Sequence, residues 1–247
     1  MDGFNIHRKL FHLIGFAVPA SLYFDICSGA FGLKYATRAI LFTVLAAVLI
    51  SMSFSEFIRL HNSAFNEFFQ KYFGKLMKEA EKNRMNGTIP YILSNALVVA
   101  FFPAQIIFLA MGCLLIGDPV AAFFGSKYGK YRFYNGKSLV GVVAFIIGSI
   151  IACTILMFLF QATYGDSLYS AMKAGQFSSL AFFGVVIGAV FSGLAEFFSG
   201  HGLGGLLEDN LLIPIVASLV LAYYASFARL AASQELFFPI QELFTKV

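Results

Sequence analysis

The chain has no tryptophan, only three cysteines and six prolines in 247 residues, and very little charge. Charged residues make up 12% of it, about half the roughly 25% with which a soluble domain covers its surface. An ordinary water-soluble fold is excluded. A mean hydropathy of +0.80 and 59% hydrophobic residues imply that most of the surface faces hydrocarbon. Cys27, Cys113 and Cys153 stand apart in apolar segments with neither CxxC nor Cys/His spacing, which argues against a disulfide framework or zinc site and for small buried apolar side chains. Without tryptophan, the interfacial belt falls to the 11 tyrosines, whose apolar body and polar tip suit that depth. His7–Arg8–Lys9 is followed by an apolar run containing Pro19 and no small-residue cleavage site, so no cleavable leader is expected. There is no internal repeat or linker, and 1–247 reads as a single transmembrane domain.

Long apolar runs are what the sequence does have. A helical span needs about 20 largely apolar residues to cross ~30 Å of hydrocarbon. The runs predict an all-α integral membrane protein of about seven helices, at 10–24, 36–57, 89–102, 104–125, 139–162, 178–199 and 210–230. The stretch from 89 to 125 is too long for one helix and is expected to fold back at Pro103. With the N-terminus inside and the C-terminus outside, twelve of the 17 Lys and Arg residues fall in inner segments, as the positive-inside rule asks. Residues 62–84 carry Phe65, Phe68, Phe69, Tyr72, Phe73 and Leu76 on a basic background and predict an amphipathic helix on the inner surface. The tail, with Leu236, Phe237, Ile240, Leu243 and Phe244 at near-helical spacing, is expected to lie in the interface as well. The basic residues follow this membrane bias, and nucleic acid is not an expected partner.

Ionisable groups inside a span are costly, so each is a functional candidate. Asp118 in Gly117–Asp118–Pro119 and Glu196 in Ala195–Glu196–Phe197 both fall near inner ends of their spans. Asp209 opens the last span; as an N-cap, with Asn210 and Pro214 shaping the first turn, it has an equally good structural reading. The loop after Asp118 holds Gly125, Lys127, Gly129, Lys130, Arg132, Gly136, Lys137, Ser138 and Gly141, with four cations and no acid. Glycines admit backbone N–H groups to a phosphate, cations neutralise it, and the next helix offers its positive end. Three acids facing such a loop predict a metal–nucleotide site, since Mg²⁺ takes one or two carboxylates together with substrate phosphates. Built into the ends of spans, that site implies an acceptor living in the bilayer.

These residues fall into an ordered series. Arg8–Lys9–x–x–His12, Glu56–x–x–Arg59–Leu60, Gly87–x–x–x–Tyr91–x–Leu93, Gly117–Asp118 with Ala121, Gly125, Gly129, Lys137–Ser138 and Gly141, then Glu196, and Asp209–Asn210–Leu211–x–Ile213–Pro214 follow one another along the chain. The series resembles the polyprenol kinase family, which includes dolichol, phytol and farnesol kinases and a CTP-dependent diacylglycerol kinase. The resemblance implies a membrane-embedded kinase that uses CTP and Mg²⁺ (or Mn²⁺) to phosphorylate a prenyl alcohol at the cytoplasmic face, in a bacterial inner membrane or an organelle. Residue by residue, it implies Asp118 and Asp209 as metal ligands, Glu196 as either a further metal ligand or the group that orients the lipid hydroxyl, and Lys137 as the fourth catalytic residue. It assigns Arg8, Lys9, His12, Gly125, Lys127, Gly129, Arg132, Ser138, Gly141 and Asn210 to the nucleotide.

Three other readings compete. A phosphatidate cytidylyltransferase shares a similar glycine-rich block, but its closing KD pair and DR are missing here. Diacylglycerol could replace the prenyl alcohol as acceptor. An ion-coupled transporter would use Asp118 and Glu196 for coupling, but such proteins often show paired repeats, and this chain shows none.

Overall fold

The computed structural model describes residues 13–74, 77, 79–133, 135–200, 202–232 and 236–247. Helices dominate. In chain order they are α1 (Ile14–Tyr23), α2 (Ala36–His61), α3 (Ser63–Phe73), α4 (Thr88–Phe101), α5 (Ala104–Tyr128), α6 (Leu139–Tyr164), α7 (Ser179–Phe198) and α8 (Asp209–Phe227). Five of them, α2, α5, α6, α7 and α8, are long and apolar enough to cross a membrane, while α1 and α4 are shorter apolar helices. A two-stranded hairpin, β1 (Met172–Lys173) with β2 (Gln176–Phe177), lies between α6 and α7.

The helix ends follow from local chemistry. Side chains of Asn62, Ser138 and Ser178 accept hydrogen bonds from the backbone N–H groups of Phe65, Gly141 and Ala181, which caps the first turns of α3, α6 and α7. Phe102 and Pro103 are extended and separate α4 from α5, as the expected fold-back requires. Arg38, in the first turn of α2, donates to the carbonyls of Val99 and, at 2.9 Å, Phe102. A cation at these last carbonyls closes the C-terminus of α4. Its guanidinium also lies 4.2 Å from the centre of the Phe238 ring.

Small residues bring the helices together. Gly184 and Gly188 of α7 face Tyr224 and Leu221 of α8, and Gly193 faces Ile146 of α6, the small-residue contact by which helices approach in hydrocarbon. A buried cluster including Ile106, Met111, Phe145, Met157, Val185, Ile213 and Leu221 joins α5, α6, α7 and α8. By contrast, almost none of the apolar stretch of α2 is buried, which places it at the edge of the bundle.

Three local features add to the sequence reading or differ from it. α5 contains a π-helical turn over Cys113–Gly117, immediately before Asp118–Pro119. Proline lacks an N–H and its ring presses on the carbonyl four residues back; a wider turn relieves that pressure, and such turns often stand at functional sites. The described residues of the tail do not continue as one helix, although their apolar spacing is near-helical. Among its described residues only Ile240–Glu242 form a 3-10 turn, Leu236 and Leu243 are buried, and the last residues pair with the segment before α2. There Lys34 N–H donates to the Thr245 carbonyl at 2.9 Å and Val247 N–H to that of Gly32 at 2.9 Å. The expected amphipathic element at 62–84 is helical over Ser63–Phe73, and further on its described residues form a short 3-10 segment at Glu79–Asn83.

Candidate active site

Asp118, Glu196, Lys137 and Asp209 come from α5, α7, the residue pair before α6, and the start of α8. The fold brings them to one end of the bundle. Lys137 Nζ lies 2.8 Å from Glu196 Oε1, and Glu196 lies within electrostatic range of both Asp118 and Asp209. Asp118 and Glu196 are buried.

Lys137 is engaged more fully than the sequence suggested. Its ammonium donates to the Glu196 carboxylate, to the Glu196 carbonyl, and to Ser199 Oγ at 2.8 Å. An ammonium has three N–H donors, and all three go to the C-terminal end of α7. Asn135 adds a hydrogen bond from its amide to the Phe197 carbonyl and accepts from Lys137 N–H at 3.1 Å. The basic loop therefore closes the negative end of α7 and holds the Glu196 carboxylate in place.

The glycines of the loop pack helices in this structure. A Cβ on Gly129 would stand 2.3 Å from Ser138 Oγ and 2.4 Å from the Gly125 carbonyl, and one on Gly125 would lie 3.3 Å from Gly141 Cα. Ser138 is buried among them and caps α6 through the Gly141 N–H. Two turns deeper, a Cβ on Gly117 would lie 2.3 Å from Ser149 Oγ. These residues form the seam between α5 and α6 that fixes Asp118. Arg132 donates to the carbonyls of Gly125 at 2.9 Å and Gly136 at 3.0 Å, bracing the loop. Lys127 is exposed, 5.2 Å from the centre of the Tyr128 ring. Arg8, Lys9 and His12 lie outside the described residues.

The first turn of α8 is tied to α4. Pro214 has no N–H for the carbonyl of Asn210, four residues before it; that carbonyl accepts instead from Ser94 Oγ at 2.9 Å. The Asn210 amide donates to the Gly87 carbonyl at 3.1 Å. Asp209 Oδ1 accepts from Asn210 N–H at 2.9 Å. Thus Asn210, expected at the nucleotide, holds the α4–α8 junction here.

Sequence reasoning missed two neighbours of this junction. Oxygens of the buried Glu81 and Glu208 each lie 3.2 Å from where a Cβ on Gly87 would stand, and Arg84 Nη2 is 3.7 Å from Glu208 Oε1. The signal for Glu208 was its place beside Asp209; Glu81 sits in a charged loop and offered none. A further neighbour is the Glu56–Arg59 pair, which the sequence offered only as part of the motif series. Arg59 binds Glu56 through two hydrogen bonds of 2.8 and 2.6 Å and donates to the carbonyls of Glu81, Lys82 and Arg84. Glu56 also accepts from Asn86 N–H at 2.7 Å. Together they pin the segment that leads into α4.

The donor set bears on a divalent cation in two ways. Among the described residues, no three His, Cys, Asp or Glu side chains converge as a ready-made cage, and Glu196 faces Lys137. The acids nearby are carboxylates, hard oxygen donors of the kind Mg²⁺ takes, and Mg²⁺ typically needs only one or two of them when phosphates complete its shell. The site fits a cation shared with a phosphate ligand, not one enclosed by protein alone.

No protein-family model matches the chain, and no solved structure matches it. Curated relatives do. It is 33% identical over 166 residues to the CTP-dependent diacylglycerol kinase 1 of Schizosaccharomyces pombe, a match covering 66% of this chain and 72% of that protein. The protein of the same name from Saccharomyces cerevisiae is 28% identical over 225 residues, 87% of this chain and 71% of the relative. That of Eremothecium gossypii is 24% identical over 181 residues, 70% of this chain and 55% of the relative.

Proposed function

The chain belongs to the CTP-dependent lipid kinase family of these relatives, and on that premise we propose that it transfers the terminal phosphoryl group of CTP to the hydroxyl of a lipid alcohol held in the bilayer. The observation that carries the reading is the convergence of Asp118, Lys137–Glu196 and Asp209 from four separate parts of the chain on one end of an apolar bundle. Diacylglycerol is the favoured acceptor, because the relatives' names carry it. A prenyl alcohol is the second reading, supported by the motif series shared with polyprenol kinases.

In this mechanism the acceptor oxygen attacks the γ-phosphorus, a new P–O bond forms, the bond to the β-phosphate oxygen breaks, and CDP leaves. The hydroxyl proton passes to Glu196, which Lys137 and the end of α7 hold in position. Asp118 and Asp209 would hold a divalent cation, which when bound supplies neutralisation of phosphate charge and a template for the chain of phosphates. Lys127, with Arg8, Lys9 and His12, would add cationic partners for the nucleotide. The arrangement in the membrane that goes with this reading has seven spans, counting α1 and α4, with the N-terminus and the active site on the cytoplasmic side and the C-terminus opposite.

The test is purified protein with γ-labelled CTP, Mg²⁺ and either diacylglycerol or a prenyl alcohol. Labelled lipid monophosphate and CDP are expected; pyrophosphate with a CDP-lipid would replace this function with a cytidylyltransferase. Asp118→Asn should lower turnover by on the order of 10²-fold or more while inserting and melting as the parent does. Parent-like turnover in that variant would remove the metal role.

A further inference from the structure

Beside the site, under the amphipathic helix α3, a cavity of about 230 Å³ opens between α2, α3 and the start of α4. Its walls change character with depth. At the mouth stand Met52 and Phe73, 41% and 48% exposed, with Phe69 and Met77 behind them. The inner wall holds Glu81, Gly87 and Asn210, all buried. Glu56 also lines the cavity, with its carboxylate engaged by Arg59 and Asn86.

The position of the mouth follows from α2, which lies at the edge of the bundle with little of its apolar length covered. A gap between α2 and α3 therefore faces lipid at the depth where Phe68, Tyr72 and Phe73 of α3 are exposed. An apolar mouth on the bilayer with a polar inner wall matches a molecule with hydrocarbon at one end and a neutral polar group at the other. The cavity is smaller than the roughly 300–1,000 Å³ that encloses a drug-sized ligand. It suits a head group and the first methylenes, leaving the tails outside. On its inner wall Asn210, in the first turn of α8, is next in sequence to Asp209 of the candidate active site. The larger groove between α5 and α6, with Val120, Val143 and Ile147 among its lining, is apolar throughout and offers a hydroxyl no polar partner.

We propose that this cavity receives the hydroxyl-bearing end of the acceptor lipid, which enters sideways from the bilayer between α2 and α3. The proposal rests on the lipid-kinase reading and names its acceptor site. The test uses the full chain in nanodiscs with a diacylglycerol carrying a diazirine near the glycerol end of one acyl chain. Labelling is expected at peptides containing Met52 and Phe73, reduced by excess unlabelled diacylglycerol. Met52→Trp, at an exposed position that tolerates size, should raise KM for diacylglycerol about tenfold by narrowing the mouth while KM for CTP stays within about twofold of the parent. An active kinase whose competed label maps to Val120, Val143 or Ile147, or whose Met52→Trp variant keeps the parent KM for lipid, would overturn the cavity assignment and leave the function standing. Competed labelling at Met52 without CTP-dependent phosphorylation of any lipid alcohol would overturn the function and leave the lipid site.

Discussion

Glu56–Arg59 and Glu196–Lys137 are two acid–base pairs at the same end of the bundle, with N···O distances of 2.6 and 2.8 Å. The first is formed within one helix, between residues three apart, and the Arg59 side chain is fully covered. Its guanidinium also reaches three carbonyls and Asn66, so five donors in a planar fork are matched by the chain itself. The second joins the loop before α6 to the end of α7, and the Lys137 side chain keeps 22% exposure. Two further carboxylates, Asp118 and Asp209, act on it electrostatically. A sealed pair fixes backbone. A half-open pair with two more carboxylates near it can meet a ligand, and the difference separates scaffold from candidate chemistry where the residue types alone do not.

The comparison is broken most severely at its sealed member. Arg59→Ala leaves the Glu56 carboxylate and three carbonyls without their cation, and breaking a buried pair costs about 3–5 kcal/mol. The expected outcome is a large fall in melting temperature in detergent, with little folded protein recovered. A parent-like melt would show that the 81–86 segment is held by other contacts. At the open member the effect should move from stability to rate. Lys137→Ala is expected to lower kcat/KM by on the order of 10²-fold with a smaller fall in melting temperature than Arg59→Ala, because Lys137 is part-exposed. Equal losses of stability in both variants would erase the distinction. The smallest effect sharpens the link between them. Ser94→Ala removes the hydroxyl that satisfies the Asn210 carbonyl beside Pro214, at a cost of about 1–3 kcal/mol, which thermal unfolding would register; an unchanged melt would mean that the carbonyl finds another donor.

The helices were legible because hydrocarbon demands long apolar stretches and leaves few ways to satisfy the backbone. The expected segments at 36–57, 139–162, 178–199 and 210–230 correspond to α2, α6, α7 and α8 with ends displaced by a few residues, and Pro103 marks a real break. The packing of the tail was not legible, because a near-helical spacing of apolar residues does not reveal that Leu236 and Leu243 have a surface of the bundle to bury against. Asp118, Glu196, Asp209 and Lys137 were legible as a group, since charge is rare in this chain and each exception stands out. Their division of labour was not. Glycines and a serine that suit a phosphate loop also suit a tight helix seam, and at Gly125, Gly129, Ser138 and Gly141 the structure uses them for the seam.

From the sequence alone came the membrane environment, the helical class and the small set of polar residues that apolar physics leaves unexplained, because these follow from composition and from spacing along one chain. The tertiary structure decided that Lys137 clasps the end of α7, that Pro214 exposes a carbonyl for Ser94, and that Glu81 and Glu208 meet at Gly87. Each joins residues far apart in sequence, and whether a donor finds its acceptor depends on distances and directions that only the packed helices fix.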